Sequence, residues 1–280
     1  RRGRFFHRLR KESYAYEEAK NEMNRNLNAL HAMWYRQVKR FWRAKSRVAA
    51  MIIQPIFWMI FFGLGWASAF RIGGVRTLFG GLDYLTFLIP GVIMMAIFMF
   101  SYMSGISVIW DKEFGYLKEI LVAPVSRRAS ILGRMLGDST VAMFQGIIIF
   151  CIAYPLTPTL RIINVPIVIL VAFLTSLSFT SVGTIIATKM RSQEGFQLIV
   201  NMISMPTLFL SGAFYPVDTM PTWMKYLAYI NPLTYGVDAA RILLTGNGSL
   251  NLITNVLLLL ILSIILITLA TQAFKKATIE

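Results

Sequence analysis

The residue types that build catalytic and metal centres are scarce in this 280-residue chain and poorly placed for such work. Its one cysteine, Cys151, lies inside an apolar run, and both histidines, His7 and His31, fall in the N-terminal segment. That excludes a disulfide framework, a Cys-based zinc site and a histidine-built metal centre in the body of the chain. No Gly-rich phosphate loop, HExxH helix, paired carboxylates or nucleophile elbow occurs, so no catalytic residue, metal or cofactor is expected on this chain. The chemistry within its reach is recognition. In the segment 110–134, Leu117, Ile120 and Leu121 share one helix face between Gly115 and Pro124, with Glu119 beside them and Arg127 just beyond. A short helix with one apolar face and no internal partner suits a groove in another protein. The alternative is a hairpin that merely folds on the membrane.

Two further sets invite a role. Leu27, Leu30, Trp34, Val38 and Phe41 recur at the spacing of one helix face, while Arg36, Arg40, Arg43 and Arg47 step along the other. An apolar stripe bearing Trp and Phe, backed by basic residues, predicts a helix lying in the membrane interface over 24–47. Arg36 then faces headgroups and is expected to matter little. The other set is Met94, Met95, Phe98, Met99 and Phe100, with Asn201, Met202, Met205 and Phe209. Their soft and aromatic surfaces suit a hydrophobic or varied ligand, or ordinary helix packing.

The elements that must position these groups emerge from composition. Apolar residues make up 56% and charged residues 15% of the chain, against about 45–50% and 25% in soluble domains. Mean hydropathy is +0.60. Six apolar stretches are long enough to cross a bilayer, at about 48–70, 85–109, 135–157, 166–188, 196–214 and 250–274. The fold expected is therefore an all-α membrane protein in three parts: a polar N-terminal extension (1–23), the amphipathic helix (24–47) and a six-helix transmembrane domain (48–276). The first thirty residues hold no apolar core of signal-peptide type.

The net charge of +15 is a topology signal. With six spans, 23 of the 28 Lys and Arg residues fall on one side, which places both termini in the cytoplasm of a cell-membrane protein. The same asymmetry argues for contact with lipid headgroups and against nucleic acid. Segment 215–248, rich in breaks and carrying Trp223, Tyr226 and Tyr229, reads as short helices at the outer interface. Within the spans, Asp138 is the single acid expected near lipid depth, with no Lys or Arg, which argues against an ion-coupled carrier.

One set of residues, taken in order, resembles a known family. It runs Asp111, Gly115, Glu119, Pro124-Val125-Ser126-Arg127, Gly133-Arg134 and Asp138. It continues with Phe209-Leu210-Ser211-Gly212-Ala213-Phe214-Tyr215-Pro216, Pro221, Asn231-Pro232-Leu233-Thr234-Tyr235, Asp238 and Arg241. With the six spans, this resembles the permease subunits of ATP-binding-cassette (ABC) exporters of the type-2 export family, and among them the daunorubicin-type drug-resistance permeases. The resemblance covers about residues 24–276. It implies a pair of permeases, here a homodimer, working with two separate ATPase subunits that bind ATP and Mg. It implies that 24–47, with Trp34, Val38 and Phe41, is a connecting helix. By the same likeness, 115–124 is a cytoplasmic coupling helix docking into the ATPase, with Gly115, Leu117, Glu119, Ile120, Leu121, Pro124 and Arg127 as its coupling residues. Segment 215–241 corresponds to outer re-entrant helices. A substrate path through Met94, Phe98, Asn201, Met205 and Phe209 would carry a drug, a lipid or a lipid-linked glycan. The competing readings are a non-transporting membrane scaffold or assembly factor, and an ion-coupled carrier.

Overall fold

The computed structural model describes residues 2–66, 75–116, 122 and 125–276. Among them the secondary structure is helical throughout, in ten α-helices. These are α1 (Arg2–Arg43), α2 (Lys45–Trp58), α3 (Tyr84–Met103), α4 (Ile106–Glu113) and α5 (Arg127–Ala153). Then come α6 (Val165–Lys189), α7 (Gln193–Phe209), α8 (Thr222–Ile230), α9 (Pro232–Thr245) and α10 (Leu252–Lys275). A π-helical turn, Met59–Leu64, continues α2 beyond Pro55.

Among the described residues, four helical runs are long and apolar enough to cross a membrane: Tyr84–Glu113 (α3 with α4), Arg127–Leu156, Ile162–Lys189 and Leu252–Lys275. Lys20–Arg43 with Val48–Gly63 forms a fifth candidate as a bent pair. The expected span at 196–214 is a helix of only 17 residues, Gln193–Phe209. At 1.5 Å per residue it reaches about 25 Å, short of a hydrocarbon core of about 30 Å. The expected span at 250–274 is α10.

Helix α6 is the centre of the body and packs against α3, α4, α5, α9 and α10. Its small residues make this possible. Thr175, Ser176, Ser178, Thr180, Ser181 and Gly183 are all buried, and a side chain at Gly183 would collide with the Tyr102 carbonyl. Ser176 shares a hydrogen bond with Ser101, and Ser178 with Ser263, so α6 is stitched to α3 and α10 by hydroxyls in an otherwise apolar body. Helix α10 buries one narrow face (Asn255, Leu259, Ser263, Ala270, Phe274) and exposes isoleucine and leucine elsewhere, the profile of a helix solvated by lipid.

Helix α1 runs unbroken from Arg2 to Arg43, so it includes most of the stretch expected as a separate extension. It turns at Ala44 (φ −92°, ψ 71°) into α2. Its apolar stripe lies against the start of α5, where Gly133 and Gly137, four residues apart, present bare backbone. A Cβ at Gly133 would stand 2.2 Å from the Leu30 carbonyl oxygen, and one at Gly137 2.9 Å from that of Trp34. Trp34 Nε1 donates to Thr140 Oγ1 at 3.1 Å. Phe41 packs with Met51 and Val141. Trp34, Val38 and Phe41 therefore contribute to an intramolecular seam, while Leu27, Tyr35 and Trp42 stay exposed.

Candidate functional site

The ordered residues that carried the resemblance come together at two places. The first is the end of α4, just before segment 115–124. Asp111 is 3% exposed. It accepts two hydrogen bonds from Arg36 of α1, Nη2 to Oδ1 at 2.7 Å and Nη1 to Oδ2 at 3.2 Å. Its Oδ2 also accepts from Arg134 of α5, a guanidinium 2% exposed that donates as well to the Ser107 carbonyl. One carboxylate thus joins three helices, with a bidentate fork on one side. The Arg36 guanidinium also stacks 3.9 Å over the Tyr116 ring. Burial draws its pKa below the ordinary value, against the opposing pull of Tyr116 and Asp138. Arg40 covers Trp110 at 4.6 Å. The expectation that Arg36 faces headgroups is corrected here: it turns inward to the buried Asp111 carboxylate, and Arg40 likewise lies on the Trp110 ring.

The next two residues extend the node. Lys112 Nζ donates to the carbonyls of Ala187, Thr188 and Met190 at 3.0, 2.7 and 3.3 Å, capping the C-terminus of α6 where carbonyls lack helical partners. Glu113 accepts from Gln193 at the start of α7 at 2.6 Å. Gly115 (φ +74°) ends this run in the left-handed conformation and closes α4. Downstream, Ser126 N donates to Asn26 of α1 at 2.8 Å, and Arg127 Nη1 to the Lys275 carbonyl of α10 at 3.1 Å. Leu117, Glu119, Ile120, Leu121 and Pro124 lie outside the described residues. Val122, within the same segment, is 82% exposed.

The second place is α9, whose sequence pattern points to an outer interface. It is buried along most of its length, packed on α3, α6 and α10. Asn231 caps it by accepting from Leu233 N, while its amide reaches back to the Thr207 carbonyl of α7. Asp238 accepts from the backbone of Ser249 and Leu250 and from Asn255 Nδ2, at 2.7, 2.9 and 2.7 Å, which fixes the entry to α10. Arg241 donates to the carbonyls of Phe87 (3.3 Å) and Gly212 (2.9 Å). It clamps the turn after α7, where Gly212 adopts φ +74° and a Cβ at Gly91 would meet Ala213 at 2.9 Å. Asp111, Arg134, Asp238 and Arg241, outside the stretches read as spans, are all buried in the helical body together with Asp138. Local hydropathy conceals such groups, because it registers the charge and not the carbonyls that satisfy it.

Between α2, α3 and α7 lies a cleft of about 300 Å³, lined by Trp58, Met95, Met99, Gln145, Gln197 and Asn201 among others. Of the five residues expected on a substrate path, Asn201 lines it. Met94 and Phe98 are fully buried on the other face of α3, Phe98 meeting Phe179 edge-on at 4.5 Å. Met205 and Phe209 are exposed on α7, with Phe209 stacked on Phe214. The signal that separates Met95 and Met99 from Met94 and Phe98 is helical phase alone.

Comparisons with known proteins agree with this assembly. Residues 28–245 match the ABC-2 type transporter family. A Cyanophora paradoxa protein named as a transport permease (ycf38) is 31% identical over 197 residues, covering 69% of this chain and 66% of that one. The inner membrane transport permease YadH of Escherichia coli K12 is 27% identical over 229 residues, 81% of this chain and 86% of its own length. A protein of the same strain named as a multidrug ABC transporter permease (YbhR) is 29% identical over 180 residues, 62% of this chain and about half (48%) of its own length. The long apolar helices and this kinship make the chain a multi-pass membrane protein. With the matched stretch running from α1 through α9 and so spanning both buried clusters, the chain belongs to the ABC-2 type transporter family.

Proposed function

We propose that this chain is the transmembrane subunit of an ABC exporter, moving a hydrophobic or amphipathic substrate out of the cytoplasm with ATP and Mg bound by a separate ATPase chain. Two copies pair, and both termini lie in the cytoplasm. In this reading the six spans are formed by the run from Val48, by α3, α5 and α6, by α7 completed by the turn after it, and by α10. Segment 24–47 is the connecting helix, 115–124 the coupling helix, and α8 with α9 the outer re-entrant pair. The cleft between α2, α3 and α7 is the substrate's route, its methionines adapting to varied apolar shapes and its amides orienting polar groups. The multidrug designation of YbhR supports a drug-like cargo.

The observation that carries this reading is the fastening of both flanks of 115–124. Asp111, Lys112 and Glu113 upstream, and Ser126 and Arg127 downstream, together grip α1, α5, α6, α7 and α10. Both flanks of that segment are thus tied directly to five helices.

The test is Ile120→Asp in the full chain co-expressed with its ATPase. Burying such a side chain contributes roughly 1.5–3 kcal/mol, so its loss is expected to weaken docking about tenfold or more. ATPase co-purification and export should fall together while the permease stays monodisperse. Wild-type docking and export by this variant would refute the assignment.

A further inference from the structure

Arg241 carries a charge that the fold buries and does not pair. It is 4% exposed, and among the described residues no carboxylate lies within ion-pair distance of it. Asp238 is the nearby opposite charge, but its oxygens are taken by Ser249, Leu250 and Asn255. Arg241 Nε donates to the Phe87 carbonyl, and Nη2 to those of Gly212 and Ala213. Nη1 has no partner. It is not among the polar atoms sealed from their surroundings, as Arg134 Nε is, so an incoming group can reach it.

Arg241 lines a cleft of about 240 Å³, bounded by three strips of chain at 77–80, 216–218 and 247–249. The strips are already fastened. Asn247 Nδ2 donates to the Gly80 carbonyl at 2.8 Å, Asp238 holds Ser249 N, and Arg241 clamps the turn that leads to 216. On the same wall stands exposed Asp218, which makes no ion pair with Arg241. One cation and one anion therefore share a small cleft without meeting. Arg241 is anchored through two nitrogens and cannot swing across. A water at Nη1 would supply a hydrogen bond but no counter-charge at contact distance, whereas an oxyanion supplies both. A plain anion would in turn meet Asp218.

We propose that this cleft binds a phosphoamine, its phosphate oxygen accepting from Arg241 Nη1 and its primary ammonium donating to Asp218. Exposed Leu78 and half-buried Pro216 give the wall an apolar part, which favours an acylated form such as the headgroup of phosphatidylethanolamine over free phosphoethanolamine. A quaternary choline ammonium has no hydrogen to donate to Asp218, and a glycerol head has no charge for it. The site stands on this geometry, independently of what the protein exports.

The test uses the purified full chain in dodecyl maltoside and a phosphatidylethanolamine carrying a diazirine close to its glycerol. Photolabel is expected on peptides holding 77–80 and 216–218. Unlabelled dioleoyl-phosphatidylethanolamine should compete roughly three- to fivefold better than the choline lipid, the effect of one ion pair at an open rim. Dioleoylglycerol, which lacks the phosphate, should not compete. Asp218→Asn, at an exposed position, should keep the melting temperature and lose the preference for ethanolamine over choline. Asp218→Lys should turn the preference to phosphatidylglycerol. Glycerophosphoethanolamine separates the sources: competition at the lipid's own concentration identifies a soluble phosphoamine as the ligand, and competition by acylated forms alone identifies the lipid. The proposal is overturned if choline and ethanolamine lipids compete equally with the wild type, if dioleoylglycerol competes as well as either, or if Asp218→Asn keeps the preference. The readout needs no ATPase, so failure of the export reading leaves it intact.

Discussion

Replacing Asp111 by asparagine keeps the side chain's volume and removes one charge, and the two arginines around it set the cost. Arg134, 2% exposed, loses its hydrogen-bonded carboxylate, keeps only the nearby charge of Asp138, and cannot turn to water. Leaving one partner of a buried pair uncompensated costs about 3–5 kcal/mol. Arg36 is different, because its side chain is 28% exposed and can swing outward. Arg36→Gln should therefore cost about 1 kcal/mol, near the upper end for pairs open to solvent. The decisive variant is the double Asp111→Leu with Arg134→Met, which takes out both charges and restores apolar volume. Such replacements are neutral or stabilising by about 1–4 kcal/mol in other proteins, so the double should survive heating better than Asp111→Asn alone. The assay is the fraction of full chain still monodisperse on size exclusion after stepped heating in detergent. Wild-type stability of Asp111→Asn, or a double variant at least as damaged as the single, would refute the node's energetics. If the node also transmits motion, the stable double should hold the ATPase yet fail to export.

The seam between α1 and α5 depends on bare backbone, so Gly137→Val should lever α1 away: a Cβ there already stands 2.8 Å from Gln37 Cβ and 2.9 Å from the Trp34 carbonyl. Oxidative cross-linking between cysteines placed at 34 and 140 should then fall severalfold relative to the unaltered seam. At the other cluster, Arg241→Met should cost about 2–4 kcal/mol, by leaving the Phe87 and Gly212 carbonyls without their buried donor, and Arg241→Lys should not rescue it, since a point charge cannot reproduce the planar fork. Hydrogen exchange over 209–217 should rise in both Arg241 variants and stay unchanged in Gly137→Val.

Run length and hydropathy locate α3, α5, α6 and α10 to within a few residues at most of their ends, since membrane thickness demands such helices and little else imitates them. Helix α9 escapes that reading for the reason that makes it informative. Asp238 and Arg241 lower its hydropathy, yet each is satisfied by backbone groups brought from other elements. For α1 the period is legible and the partner is not. Arg36 meets Asp111 across 75 residues, a distance no helical wheel covers. The pair Gly133 and Gly137 does carry a signal, because small residues four apart mark a surface awaiting another helix. On the substrate path, residue type does not find the helix face, since of Met94, Phe98, Asn201, Met205 and Phe209 only Asn201 lines the cleft and methionine suits a core as well as a cleft.

Trp34 and its partner Thr140 are 106 residues apart, which orders events at the ribosome. At 5–20 residues per second, α5 emerges roughly 5–20 s after α1. For that interval Leu30, Trp34 and Phe41 have no glycine seam to enter, and the bilayer surface is the nearest apolar cover for an amphipathic basic helix. α1 is thus expected on the membrane surface during synthesis, and its stripe packs against α5 in the finished fold. Its aromatic stripe answers to both lives, first as a foothold for the nascent chain and then as one wall of the finished protein.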